Sequence, residues 1–279
     1  MVGESYQVPP RVDVSVPSVA RCYDYALGGK DNFEVDRAAV AATEELVPEA
    51  GVLAKVNRSW HIRATRFLSE RAGIKQYLDL GAGLPTAENT HEVVHRMDRE
   101  ARVVYVDNDP SAAAHGRVLL DDDASVRYIE GDLTKPEEIF GDPVVRDHLD
   151  LSQPIALYQS ATLHHQPDDL DLVGIMRDYV AALAPGSYVA LSHFWDPGGE
   201  AGAMVRRIRE VMLEQGLDGE HFRSREQISE MLPGLELVPS GPATAEGLVP
   251  LLEWWPDGPT VVEPGVVQRC IMGAIGRKP

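Results

Sequence analysis

Tyr77-Leu78-Asp79-Leu80-Gly81-Ala82-Gly83-Leu84-Pro85-Thr86 is the stretch whose reading decides the fold. An apolar run predicts a strand over Gln76–Leu80. An acid and two glycines close it, and a helical pattern follows over about Thr86–Met97. Glycines let a backbone turn tightly and approach a ligand. The amides that open the next helix favour a negative ligand group. A lone GxG is a weak signal; placed between a strand and a helix it stands in the context a nucleotide-type site requires.

Outward from that loop the same rhythm repeats. Further strands are predicted at Arg102–Asp107, Val126–Glu130, Ile155–Gln159 and Ser187–Ser192. Helical stretches alternate with them at Pro110–Leu120, Pro136–Phe140, Leu170–Leu183 and Glu200–Gln215. Such alternation implies an α/β fold with a mostly parallel sheet covered on both faces. Two late β-like runs, Leu235–Val238 and Val266–Ile275, are joined by a Pro- and Gly-rich connection over residues 239–265 and predict an antiparallel C-terminal edge. Ahead of the sheet, residues 1–16 read as a loose arm with Pro9 and Pro10. A short helix follows at Ser18–Leu27, stopped by Gly28-Gly29. A second runs from Glu34 to Leu46 with Asn32 as its cap. A third, from Ala50 to Ala72, places Val52, Val56, Trp60, Ala64 and Phe67 or Leu68 on one face, and Gly73 ends it. The expected organisation is an arm and helical cap over 1–74, then one compact sheet unit over 75–279.

The second strand, Val103-Val104-Tyr105-Val106-Asp107, ends in a carboxylate 24 residues after Gly83, near the separation of an acid that grips ribose hydroxyls. Asp107 is otherwise a turn residue of Asp107-Asn108-Asp109-Pro110. The third strand ends in Glu130-Gly131-Asp132-Leu133; Asp132 can accept from an adenine amine or cap the helix that Pro136 opens. Three loops thus converge on the carboxyl ends of strands one to three, the ligand crevice of an open α/β sheet. They point to an adenosine-type cofactor without choosing one.

Bulk properties narrow the partners. A formal net charge of −18 repels phosphate backbones and anionic lipid, so neither a nucleic acid nor a membrane partner is expected. A small-molecule substrate fits better. No apolar run approaches the roughly 18 residues of a spanning helix, and the N-terminal residues carry no apolar signal core, so a cytoplasmic protein is expected. Cys22 and Cys270, at opposite ends of the chain, make neither a disulfide framework nor a metal cluster. Nine histidines without a CxxC grouping beside them predict no metal site.

The Asp-Leu-Gly-Ala-Gly pattern, with its acid two residues before the first glycine, resembles motif I of class I S-adenosylmethionine (SAM)-dependent methyltransferases. A dinucleotide fingerprint would put a third Gly at 86, where this chain has Thr86. Ala161-Thr162-Leu163-His164-His165 and Leu183-Ala184-Pro185-Gly186-Ser187 resemble later landmarks of those enzymes. Arg21-Cys22-Tyr23-Asp24-Tyr25-Ala26-Leu27-Gly28-Gly29-Lys30-Asp31-Asn32-Phe33, then Gly83-Leu84-Pro85-Thr86 with Asn89-Thr90-His91, then Ser192-His193, together resemble the actinobacterial S-adenosyl methyltransferase family, DUF574, over nearly the whole chain. The resemblance implies a Rossmann-like class I fold, SAM as cofactor, S-adenosylhomocysteine (SAH) as product, and methyl transfer to an acceptor it does not identify. It also implies roles by position. Asp79, Gly81, Ala82 and Gly83 would surround the methionine part. Asp107 would bind the ribose, with Asn108, Asp132 and Leu133 at the adenine. Gln159 and Ser160 would lie below the sulfonium. Tyr23, Asn32 and Phe33 would belong to the cap.

Methyl transfer is an in-line displacement in which the protein mainly aligns reactants. A hydroxyl or amine acceptor also calls for a base, for which His suits neutral pH. His164 and His165 stand at the expected mouth and are the candidates; otherwise they are a loop pair without a proton role. Tyr23 and Phe33 could face the sulfonium with their rings or simply pack cap to sheet. Trp254-Trp255-Pro256 could wall an acceptor pocket or cover the sheet edge. Two rival functions share the glycine loop: a nicotinamide-dependent oxidoreductase, for which the Tyr-x-x-x-Lys pair is missing, and a non-catalytic sensor of the same cofactor. The two cap helices, too short to stand alone, are expected to close the cofactor site as a lid hinged at Gly28-Gly29, with Asn32 and Phe33 lining it.

Overall fold

The computed structural model describes residues 12–48, 50–85, 88–120, 123–217, 220–255 and 265–279. The first eleven residues of the expected arm, Thr86 and Pro256 lie outside them. One mixed sheet organises the chain. Its strands are β1 (Gln76–Leu80), β2 (Arg102–Asp107), β3 (Val126–Glu130), β4 (Ala156–Ser160), β5 (Tyr188–Phe194), β6 (Glu236–Leu237), β7 (Val249–Pro250) and β8 (Ile271–Arg277). The order is β3-β2-β1-β4-β5-β8-β6, with β7 also paired to β8. The first five strands run parallel, and β8 is antiparallel to β5 from Tyr188↔Arg277 to Phe194↔Ile271. Strand order reverses between β1 and β4, and such a reversal opens a crevice at the carboxyl ends of the strands.

The helices are α1 (Val19–Ala26), α2 (Glu34–Leu46), α3 (Val52–Glu70), α4 (Thr90–Val94), α5 (Pro110–Leu120), α6 (Pro136–Gly141), α7 (Pro143–His148), α8 (Leu172–Ala182), α9 (Gly199–Glu214) and α10 (Arg225–Glu230). Every residue of β1 is buried, as expected of a strand covered on both faces. One face packs Leu78, Leu80, Val104, Val106 and Leu157 against Ile139 of α6 and Met176 and Tyr179 of α8. The other packs Tyr77, Val103, Tyr158 and Ala190 against Trp60, Ala64 and Leu68 of α3, with Trp254 beside them. The apolar stripe read on the third helix is therefore the stripe that seats it on the sheet. Arg63 of α3 locks that seat, donating to Leu251 O at 2.6 Å and Trp254 O at 3.1 Å. Trp254 is thus core, covering the sheet rather than walling a pocket. Cys22 of α1 and Ala39 and Val40 of α2 share a separate small cluster with Leu217, just past α9.

Three expectations are corrected locally, and two helices are added. The helix expected over Thr86–Met97 is only Thr90–Val94, because Asn89 caps it with its amide on the Glu92 carboxylate at 2.7 Å. Asn32 does not cap α2: the cap is Phe33, whose amide donates to Asp36 Oδ2 at 2.8 Å. The late run Val266–Ile275 begins as a 3-10 turn, Val267–Arg269, before β8. Two short helices went unread although each carries a start signal: α7 opens with Pro143 after the cap Asp142, and α10 follows Ser224 with Gln227 three residues on.

Candidate functional site

Two adjoining cavities open at the carboxyl ends of the central strands β1 and β4. The larger holds about 390 Å³ and is lined by Gly81, Ala82 and Gly83 after β1, Asp107 to Asp109 after β2, Leu133 after β3, and Ser160 to Thr162 after β4. Helices roof it: Ser18, Val19, Ala20 and Tyr23 come from the start of α1, and Asn57, Arg58 and His61 from α3. The glycine loop holds left-handed backbone at Gly81 (φ 68°) and Gly83 (φ 67°). A Cβ on Gly81 would strike the Thr162 methyl, whereas one on Gly83 would enter open space.

Acid lines this cavity. Asp79 is buried, accepts from Thr90 Oγ1 at 2.6 Å, and is pushed up to about 6 by burial, with the Asp107 charge adding to the rise. Asp107 is likewise pushed up to about 6 by burial. Its oxygens accept from Gly83 N at 2.7 Å and Asp109 N at 2.8 Å, so the carboxylate staples the glycine loop to the next turn. His61 Nε2 stands 3.9 Å from Asp79, yet burial holds His61 down near 3; the imidazole is neutral and the contact is no ion pair. Two buried acids on one cavity suit a ligand that brings positive charge and hydroxyl donors.

Asn57 knits the roof to the sheet. Its Nδ2 donates to Tyr23 Oη at 3.1 Å and Ser160 Oγ at 3.3 Å, and its Oδ1 accepts from Ser192 Oγ at 2.6 Å. Ser18 donates to the Asp109 carboxylate and anchors the start of α1 over the β2 loop. Neither Asn57, Arg58 nor His61 stood out in the sequence. The available signal was polar residues on the flank of an apolar helix stripe.

The second cavity, about 110 Å³, lies beside the first and shares Val19, Tyr23, Asn57, Ala161 and His165 with it. Its lining is mostly apolar, with His164, His165 and Glu220 among its polar members. His164 stacks on Phe194 with centroids 3.8 Å apart, and Phe194 stacks on Phe222 at 4.9 Å. Burial holds His164 well below the usual imidazole range, with the neighbouring His165, His193, Arg223 and His221 adding to the effect. His165 Nδ1 is 3.7 Å from Glu220 Oε1, and burial pushes Glu220 up to about 8. Arg223 positions the whole loop, donating to Leu163 O at 3.1 Å, Gln166 O at 2.8 Å and Asp168 Oδ1 at 2.9 Å. The ligand atoms of His164, His165 and Glu220 lie within 4.8 Å of one another. This compact polar group was invisible to a search for contiguous spacing because Glu220 is 55 residues from His165.

The structure separates the other expected site residues. Gly81, Ala82, Gly83, Asp79, Asp107, Asn108, Leu133, Ser160 and Tyr23 are together on the larger cavity. Gln159 is beneath it rather than on it, fully buried, its Oε1 accepting from Thr162 Oγ1 at 2.6 Å. Asp132 turns to its own loop and accepts from Thr134 N at 2.9 Å; it does not cap α6 either, whose cap is Lys135. Asn32 and Phe33 do not line the cavity. They border a different recess with Lys30, Ser111 and His115, because Asn32 Nδ2 is drawn to Asp24 Oδ2 at 2.8 Å. The part of the cap at the site is the start of α1, not the segment after the two glycines.

Comparison with known proteins follows the same lines. The model of a family described as S-adenosyl methyltransferase matches residues 5–279. A Thermobifida fusca protein of known structure, provisionally called a methyltransferase, is 38% identical over 98% of this chain and 99% of that one, with a TM-score of 0.89. A DUF574 family protein from Streptomyces avermitilis is 36% identical over 96% of this chain and 100% of that one, with a TM-score of 0.88. An O-methyltransferase family protein from Burkholderia thailandensis shares the fold alone, at 12% identity and a TM-score of 0.53 over 87% of this chain and 60% of that one. No curated protein matches the sequence.

Proposed function

The chain belongs to the S-adenosyl methyltransferase family, and from that premise we propose how its larger cavity serves SAM-dependent methyl transfer to a small-molecule acceptor. Bound there, SAM supplies a methyl group already activated on a sulfonium. Asp79 takes the ammonium of its methionine part, and Arg58, on the same wall, takes the carboxylate. Gly81, Ala82 and Gly83 leave room for close backbone approach. Asp107 grips the ribose hydroxyls with the lone pairs its two amide donors leave over. Asn108 and Leu133 flank the adenine, and Ser160 lies below the sulfonium. Tyr23, tethered by its hydroxyl to Ala54 O at 3.2 Å, holds its ring at the border of the two cavities.

The observation that carries this reading is the pair of buried acids, Asp79 and Asp107, at adjacent strand ends on one cavity. Residues 1–74 act as arm and cap to the sheet unit of 75–279, chiefly through the start of α1 and of α3. A net charge of −18 disfavours nucleic acid as acceptor. Among the described residues no helix is long and apolar enough to cross a membrane. Cys22 and Cys270 are buried free thiols, which fits the reducing cytoplasm to which we assign the chain.

Isothermal titration of the full chain with SAM, SAH and NAD tests the assignment. Both sulfur ligands are expected to bind one per chain, and NAD is expected to give no heat. Tight NAD binding with no response to SAM or SAH would overturn it.

A further inference from the structure

The smaller cavity has a composition and a location that together name a ligand class. Its walls are apolar side chains from α1, α2, α3 and α9 together with the stacked rings of His164, Phe194 and Phe222. Such a wall favours a flat ring over a branched aliphatic body, because ring faces and edges pack against one another. A volume of about 110 Å³ is near the roughly 150 Å³ of an engineered apolar cavity that binds benzene, which sets the scale at one ring. The cavity is open towards the larger one, along Tyr23, Asn57, Ala161 and His165. Among its lining residues His165 and Glu220 bring an imidazole and a carboxyl within 3.7 Å of each other.

Charge decides what the ring carries. A protonated amine would bring a further positive charge beside the sulfonium. A hydroxyl that becomes an oxyanion is instead attracted by the sulfonium. We propose that the apolar cavity is the methyl-acceptor site, that it takes a single-ring phenol-type acceptor, and that His165, partnered by Glu220, receives the hydroxyl proton. This rests on the cofactor assignment above, since the border with the larger cavity is what brings acceptor and methyl group together.

The step balances. The acceptor oxygen gives its proton to the His165 imidazole and forms a bond to the methyl carbon, while the carbon–sulfur bond breaks with its electron pair left on sulfur. The imidazolium then releases the proton to solvent. Glu220, whose carboxyl burial keeps mostly protonated at neutral pH, stands 3.7 Å from His165 Nδ1 as its polar neighbour in the cavity. His164, kept neutral by burial and stacked on Phe194, serves as wall and is not the base. Arg223 holds both histidines in place through the backbone of their loop.

The test uses the SAH-saturated full chain with two probes, p-cresol and 4-methylbenzylamine, followed by ligand-observed NMR and titration calorimetry. The phenol is expected to bind saturably, and the amine at least tenfold more weakly. With SAM in place of SAH, p-cresol is expected to yield 4-methylanisole. His165→Ala should lower kcat about 100-fold, the lower end for loss of a general base, while the Kd for p-cresol stays within threefold. His165→Gln supplies the same comparison should the alanine variant fail to fold. SAH binding without p-cresol binding overturns the acceptor site and leaves the cofactor reading intact. Equal affinity for the amine overturns the phenol class. An unchanged kcat in the His165 variants, or no methyl product, overturns the proton role. If SAH itself does not bind, both readings fall.

Discussion

Asp79→Asn should stabilise the protein without its cofactor and cripple cofactor binding. In the folded chain Asp79 is buried and ionises at about 6 instead of 3.8, chiefly because burial disfavours the charged form. That difference makes ionisation cost the native state about 3 kcal/mol. The sign follows from the raised value: the native state holds its proton more tightly than the unfolded chain. The cost is absent below about pH 4, grows between pH 4 and 6, and is complete above about 6. Asparagine keeps the shape and an oxygen for Thr90 Oγ1, now 2.6 Å from Asp79, but without charge that hydrogen bond weakens by about 1 kcal/mol. The net gain is about 2 kcal/mol at pH 7.5, or about 4–8 °C in Tm for a chain of this size. The same substitution removes the anion assigned to the cofactor ammonium. Losing one partner of a buried charge pair costs about 2–5 kcal/mol, or about 30-fold or more in Kd. Differential scanning fluorimetry of both proteins at pH 4.5 and 7.5, with and without SAM, measures every arm. The expected pattern is a Tm gain at pH 7.5 that shrinks at 4.5, with the SAM-dependent Tm rise lost. A variant less stable than the parent at pH 7.5, or one that binds SAM equally well, would refute the reasoning.

Two further outcomes follow from the same site. Gly81→Ala places a methyl against the Thr162 side chain and imposes left-handed backbone on alanine, whereas Gly83→Ala imposes only the backbone cost of about 1–2 kcal/mol. Urea unfolding should therefore show Gly81→Ala as the more damaging by at least about 1 kcal/mol, and equal midpoints would discount the contact. Hydrogen exchange with SAH should slow amides over residues 18–23 and 81–83 and leave those of residues 32–37 unchanged, because Ser18, Val19, Ala20 and Tyr23 line the cavity and Asn32 does not. Slowing confined to the glycine loop would remove α1 from the site.

Much of the fold was legible because a parallel sheet writes its period locally. Each strand is a short apolar run, each crossover an amphipathic stretch, and Gly81 and Gly83 mark the turn where backbone must adopt positive φ. Asp107 could be picked out by its place at a strand end, and so could the loop beginning at Ala161. The lining of the roof was not legible. Asn57, Arg58 and His61 read as ordinary helix residues until α3 is laid on the sheet, and only then does their flank face the crevice.

The sequence by itself determined the element order, the crevice and the cofactor class, since these depend on periodicity and on residues within one strand–loop–helix unit. Tertiary structure alone decided which cap residues reach the site. A hydrogen bond from Asn32 to Asp24 turns the expected lid segment away, and the start of α1 takes its place. It alone joined Glu220 to His165 across 55 residues of chain, on one mostly apolar cavity. Contacts at such separation are set by how helices pack on a shared core, and no local pattern of residue types encodes the distance between two side chains that meet only there.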